Sequence, residues 1–336
     1  MIPSPNRNQQ SVVAVSYMYP DALDRVHDND VLALIGYGGL AREQLAVPCP
    51  VAAIALSGPK SAETAEVWLS ADPVTVGQQD HIAYSLNGDA LFGVCQLHEP
   101  TNVLLDSLIH QTYRDILGLI RHQGYPCLLR MWNYLPAIGE RQKQLDRYQR
   151  FCMGRYQALA ESDPKFEDTL PAASVIGTSE PGITICFLAA RERGIPVENP
   201  RQTSAYHYPR QYSPRSPSFS RAMVKAWGSN VHLYLSGTAS IVGHETCHPE
   251  NLEAQVNEIL RNTDAVLEEA NRLTGEDFRE RSRQRLLKIF VRRLRDVEKV
   301  RDMLTQQLED ESSVLYLHGD LCRPDLLLEI EAVYTV

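Results

Sequence analysis

The 336-residue chain has little lysine, no paired cysteines and no long apolar run. No stretch approaches the ~18–20 apolar residues that a membrane span needs, so a helical membrane protein is not expected. The opening MIPSPNRNQQ lacks the apolar core of a secretory leader, and the expected location is the cytoplasm. Seven cysteines are scattered (Cys49, Cys95, Cys127, Cys152, Cys186, Cys247 and Cys322), with no CxxC pair and an odd total. They read as buried or free thiols, not a disulfide framework. There is no GxSxG elbow and no Walker loop. A formal net charge of −9 argues against nucleic acid or an anionic membrane as a general partner. The cations are lopsided, with 6 Lys against 27 Arg. Arginine grips planar carboxylates in a two-pronged fork, so the excess matters where several arginines converge on one pocket.

What is present suffices for a full-sized core: hydrophobic residues make up 43 % of a chain long enough for about two domains. Apolar residues at helical spacing predict long amphipathic helices over Thr101–Arg121 and Pro249–Leu273, with Pro249 in the first turn. Each follows a β-like run (Asp89–Gln96, His232–Val242) and precedes another (Pro126–Trp132, Leu286–Val291). Second helices are expected over Glu140–Glu161 and Arg293–Leu308. The pattern is a weak repeat of about 150 residues. The Gly/Pro/Asp-bearing stretch Ser162–Pro171 divides a domain 1–165 from a domain 172–336. Final strands are predicted at Ser313–His318 and Leu326–Tyr334. Helices packed on one face of mixed sheets give the α+β class. The Pro-rich segment Asn199–Ser220, with its tyrosines and arginines, reads as a functional loop.

His244-Glu245-Thr246-Cys247-His248 matches HExxH, the signature of a zinc hydrolase. The context argues for a strand-to-helix turn instead, because Pro249 pushes His248 away from helical angles. Gly36-Tyr37-Gly38-Gly39 reads as a tight turn, not a dinucleotide loop. In the terminal run Leu328–Val333, strand periodicity puts Glu329 and Glu331 on one face. Either that face meets solvent, or a buried carboxyl is held neutral as a general acid.

The string Gln255-x-x-x-Ile259-Leu260-x-Asn262-x-x-x-Val266-Leu267, with the terminal Leu328–Ala332, resembles the RidA/YjgF-like superfamily. More specific strings resemble the chorismatase family. They include Met131-Trp132-Asn133-Tyr134, Phe151-Cys152-x-Gly154-Arg155, Tyr206-His207-Tyr208-Pro209, Tyr212-x-Pro214-Arg215, Phe219-x-Arg221, Gly237-Thr238-Ala239-Ser240 and Leu317–Leu327. The match covers most of residues 90–336. It implies two RidA/YjgF-like (chorismate-mutase-like) α+β halves, the second catalytic, and, by superfamily habit, a homotrimer.

The resemblance further implies cleavage of chorismate to release pyruvate, with no cofactor and no metal. Glu329 would be the acid that protonates the enol-ether methylene. Arg155, Arg215 and Arg221 would clamp the two substrate carboxylates, with Tyr208 and Tyr212 as hydroxyl donors or ring walls. Asn133 and Tyr134 would complete the pocket, and Ala239 and Cys322 would line the region where the product is decided. Glu331 receives no role. The expected product is 3-hydroxybenzoate, with or without 4-hydroxybenzoate. A dihydroxycyclohexadiene carboxylate is the hydrolytic alternative. An HExxH zinc hydrolase or a non-catalytic RidA-like binding protein are the others.

Overall fold

The computed structural model describes residues 13–23, 30–40, 47–58, 63–305 and 313–336. Two six-stranded mixed sheets and a smaller four-stranded one account for nearly all of its long strands. The first six-stranded sheet runs, edge to edge, Ala172–Thr178, Cys127–Pro136, Ile183–Ala190, Ala90–Leu97, Ile82–Leu86 and Thr75–Gln79. The second runs Val314–His318, Gln284–Val291, Leu328–Thr335, Asn230–Thr238, Ala222–Trp227 and Ile195–Val197. Strand for strand, the chain order is the same. In each unit a helix-linked parallel pair stands at one edge, and the last strand inserts between earlier ones. The repeat seen in the sequence is therefore a repeat of topology.

The units do not break at 162–171, where composition suggested. Ala172–Thr178 pairs in parallel with Cys127–Pro136, and Ile183–Ala190 inserts beside it, so both belong to the first sheet. The second sheet begins only at Ile195. The shift arises because a parallel strand needs a crossover helix to reach its partner. The stretch 162–171 is the end of that crossover.

The helices lie close to expectation. Leu105–His122 and Arg147–Ser162 cover the outer face of the first sheet through Ile109, Tyr113, Ile116 and Phe151. Leu252–Thr274 and Val297–Thr305 cover the second through Val256, Ile259, Val266 and Val300. The expected helix 293–308 is a single 3₁₀ turn followed by Val297–Thr305, and its last expected residues lie outside the described ones. Pro249 is not in the first turn: Asn251 caps the helix by accepting from the Ala254 N–H. Among the described residues no helix is long and apolar enough to cross a membrane.

The inner faces of all three sheets share one core. Trp68, from the N-terminal strand Thr64–Ser70, touches Phe92 and Trp132 of the first large sheet and Tyr234 of the second, at 5.4, 5.5 and 6.2 Å between ring centroids. Ile330 and Ala332 face the helices, which turns Glu329, Glu331 and Val333 inward to this shared core. Both glutamates are buried, so the solvent-facing reading of that strand face is overturned.

Candidate active site

The cavity lies where the Ala172–Thr178 edge of the first sheet meets a bulge in the second. Strand Asn230–Thr238 slips register against Leu328–Thr335 between Leu235 and Thr238. The bulged residues are held by the other sheet: Ala173 N–H donates to Ser236 Oγ at 2.8 Å, and Gly237 N–H to Ser174 Oγ at 3.1 Å. Glycine at a strand bulge often marks a close approach, and here the Glu329 carboxyl fills the space that a side chain would take. A Cβ on Gly237 would overlap it. Gly237→Ala is therefore expected to displace the carboxyl and lower turnover by at least about tenfold with little change in fold, checked by kinetics and circular dichroism.

Glu329, Arg155, Arg221, Tyr208, Tyr212, Ala239 and Cys322 all line this cavity, whose open space, mouth included, is about 890 Å³. Each is placed by a local device. Arg155 sits on the Arg147–Ser162 helix, brought close to its neighbour helix by Gly154, whose missing side chain makes room for the Asp106 carbonyl. Asp146 and Gln149 close a capping box at that helix's start, and Gln149 Nε2 donates to the Tyr212 carbonyl at 3.0 Å. The Pro-rich loop is thereby pinned to the helix. Arg221 Nη2 donates to the Tyr208 hydroxyl at 2.8 Å and the Thr203 carbonyl at 2.9 Å.

The electrostatics suit an anionic ligand. Arg155 and Arg221 are buried, yet Arg155 Nε and Nη2 and Arg221 Nε have no hydrogen-bond partner among the described residues. Buried donors of this kind are costly unless something accepts from them. Glu329 is 5 % exposed, with no hydrogen bond or ion pair among the described residues. Burial first, then the nearby Glu331 charge, push its carboxyl up to about 8, against the pull of Arg130, Arg221 and Arg292. A carboxylic acid that stays neutral near pH 7 is thus set beside two under-satisfied cations. Burial also lifts the Cys322 thiol to about 12, with the Glu329 charge adding to it, so that sulfur is a neutral wall and not a nucleophile.

Three expected site residues stand elsewhere. Arg215 is exposed and stacks on Tyr156 at 4.6 Å. Asn133 is buried behind the cavity, accepting from Tyr113 and donating to the Ser174 carbonyl. Tyr134 points into the three-sheet core and shares a 2.8 Å hydrogen bond with Tyr37. Adjacent residues of one strand take opposite faces, and neither face of that strand opens on the cavity there. Residues that sequence reasoning missed include Ser174 and Arg323. Arg323 lies 4.0 Å over the Tyr212 ring. Arg323 belongs to a quoted string, and its loop is held by Arg292, which bonds the Leu321, Arg323 and Leu326 carbonyls. Arg292 lies within the arginine-rich stretch of residues 279–301.

The HExxH letters fall on a hairpin, Ile241–Val242 paired with Glu245–Thr246, and not on a helix. His244 Nδ1 meets the Tyr212 hydroxyl at 3.1 Å, whereas His248, at φ 58°, faces Glu258. Among the described residues no three His, Cys, Asp or Glu side chains are grouped to hold a metal. The Gly38 and Gly39 pair, at φ 71° and 92°, forms the turn expected after strand Val31–Tyr37.

Residues 66–189 match the family described as "Chorismatase FkbO/Hyg5-like, N-terminal". A chorismatase of Streptomyces rapamycinicus is 35% identical over 326 residues, 93% of this chain and 95% of the relative. The chain belongs to the chorismatase family. A 3-hydroxybenzoate synthase of Streptomyces hygroscopicus is 34% identical over 295 residues, covering 84% of this chain and 85% of that protein. A chorismatase crystal structure superposes with a TM-score of 0.84 at 33% identity, over 96% of this chain and 98% of that one. The family assignment covers both repeated units and the small N-terminal sheet together.

Proposed function

We propose that the chain cleaves the enolpyruvyl ether of chorismate, releasing pyruvate and 3-hydroxybenzoate, with Glu329 as the proton donor. One observation carries this: a buried, neutral carboxyl shares a cavity with two buried arginines, each with at least one donor left unpaired among the described residues. Chorismate brings the complement, two carboxylates and an enol ether that an acid must protonate at its terminal methylene. Arg155 and Arg221 orient the dianion, Arg323 adds a third cation, and Tyr208 and Tyr212 supply ring surface and hydroxyls. The proton moves from Glu329 to the methylene, the ring C3–O bond breaks so that its oxygen leaves as the carbonyl of pyruvate, and the neighbouring C4 hydroxyl oxygen shifts to C3, leaving the cation at C4. Loss of a ring proton on aromatisation balances the one Glu329 spent. Chorismate then equals hydroxybenzoate plus pyruvate with no net water; hydrolysis to a dihydroxycyclohexadiene carboxylate would add one water.

The small Ala239 and the neutral Cys322 are in the cavity wall, consistent with a dry route to an aromatic product. The lining is drawn from both repeated units of the chain. Incubation of the purified protein with chorismate is expected to give pyruvate and 3-hydroxybenzoate in equal amounts. Pyruvate without an aromatic partner would identify the hydrolytic product instead, and no pyruvate at all would leave a binding protein.

The pH profile follows from the sign of the Glu329 shift. The acid works only while protonated, so kcat/KM is expected to lose about tenfold per pH unit above roughly pH 8. A basic limb starting near pH 5, the range of an ordinary glutamate, would contradict it.

A further inference from the structure

Two residues beyond Glu329 on the same strand face, Glu331 sits in a buried charge cluster drawn from all three sheets. Lys288, opposite it in the register, places Nζ 2.6 Å from Glu331 Oε1 and 2.6 Å from Glu66 Oε2. Glu66 comes from the N-terminal sheet. Arg130, from the first large sheet, reaches Glu331 Oε2 at 2.6 Å and Ser174 Oγ at 2.6 Å. Ser174 donates to Glu331 and accepts from the Gly237 N–H, and Gly237 is the residue on which the Glu329 carboxyl packs. All four charged residues are at most 4 % exposed. Two anions face two cations, and each cation is engaged on Glu331 or Glu66.

We propose that Glu331, held by Lys288 and Arg130 and tied through Ser174 to Gly237, is a positioning residue that keeps the neighbouring proton donor in place and neutral. The inference rests on Glu329 being that donor. An anion fixed two residues away resists a second one, and it offsets the pull of Arg130, which is itself bonded to Glu331. Glu331 itself is held below the usual carboxylate range, because Lys288 and Arg130 outweigh its burial. The other groups facing Glu329 are Arg221, Arg292 and Cys322. Those facing the cluster are Tyr17, Tyr37, Tyr134 and Cys186, each lifted well above its usual value by burial and hence neutral. Glu66, from the N-terminal sheet, pairs with Lys288.

Two charge-balanced double variants separate a tuning role from a structural one. In Glu331→Gln/Lys288→Met the fixed anion beside Glu329 is gone, Glu66 is left without Lys288, and Arg130 is released. The basic limb of kcat/KM is expected to move down by about one pH unit, a roughly fivefold loss at pH 9 relative to pH 7 beyond that of wild type. In Glu66→Gln/Lys288→Met, Glu331 keeps Arg130, and the limb is expected to stay within about 0.3 unit of wild type. Removing one charge of each sign keeps both variants balanced, and thermal unfolding reports their folding. If both variants fold and share the wild-type limb, or both shift equally, the positioning role is overturned. If one double variant does not fold, Glu331→Gln alone or Glu66→Gln alone is read in its place, with a downward shift expected from the first and the absence of one overturning the proposal. An active Glu329→Gln would instead overturn the assignment of the acid.

Discussion

Glu329→Gln is expected to release pyruvate from chorismate at least about 100-fold more slowly than wild type, the scale of a lost general acid. Its stability should change in the opposite direction. In the folded chain the Glu329 carboxyl is raised to about 8 by burial and by Glu331, whereas in the unfolded chain it has the ordinary value near 4.3. The folded state therefore binds an extra proton between those values. Stability is full below the unfolded value and declines as pH rises towards the folded one. At pH 7 the deficit is of order 3–4 kcal/mol. Glutamine carries no such penalty, so the melting temperature of Glu329→Gln relative to wild type should climb as the pH is raised from 5 to 8. Activity loss accompanied by a pH-independent loss of stability would point to simple misfolding.

Arg155→Met is expected to lower kcat/KM by about 10–100-fold or more, mainly through KM. A hydrogen bond to a charged group is worth about 1.5–3 kcal/mol, and Arg155 has two buried donors with no partner among the described residues. Lysine should not restore the activity, since it lacks the planar fork. Here too the ligand-free protein should gain, because an under-satisfied buried cation is removed. A chorismate-like dicarboxylate should raise the melting temperature of wild type and not of Arg155→Met. Equal protection of both proteins would place the carboxylate elsewhere, with Arg221 and Arg323 the remaining cations of the cavity.

Much of this site could be read from residue strings, and the limits have physical causes. Strand periodicity placed Glu329 and Glu331 on one face but left open whether water or protein covered it. The deciding partners, Arg130 and Lys288, sit on other strands, Arg130 201 positions away from Glu331. Pairing over such distances leaves no local pattern. The repeat was visible because apolar periodicity is local, whereas the membership of Ala172–Thr178 in the first sheet depended on a parallel crossover. Asn133 and Tyr134 show the opposite error. A string that matches a family as a block need not face the cavity as a block, and these two residues serve the wall behind it and the three-sheet core. Arg215 stands in a matched string yet stacks outward on Tyr156. Of the arginine excess, Arg155, Arg221 and Arg323 enter the cavity and Arg292 holds the loop beneath it.

The most direct measurement is the fate of the proton. In heavy water, wild type acting on chorismate should yield pyruvate with one deuterium in its methyl group, formed together with 3-hydroxybenzoate, while Glu329→Gln should yield almost none under the same conditions. Labelled pyruvate released by Glu329→Gln at the wild-type rate, or no pyruvate from wild type, would contradict proton donation by Glu329.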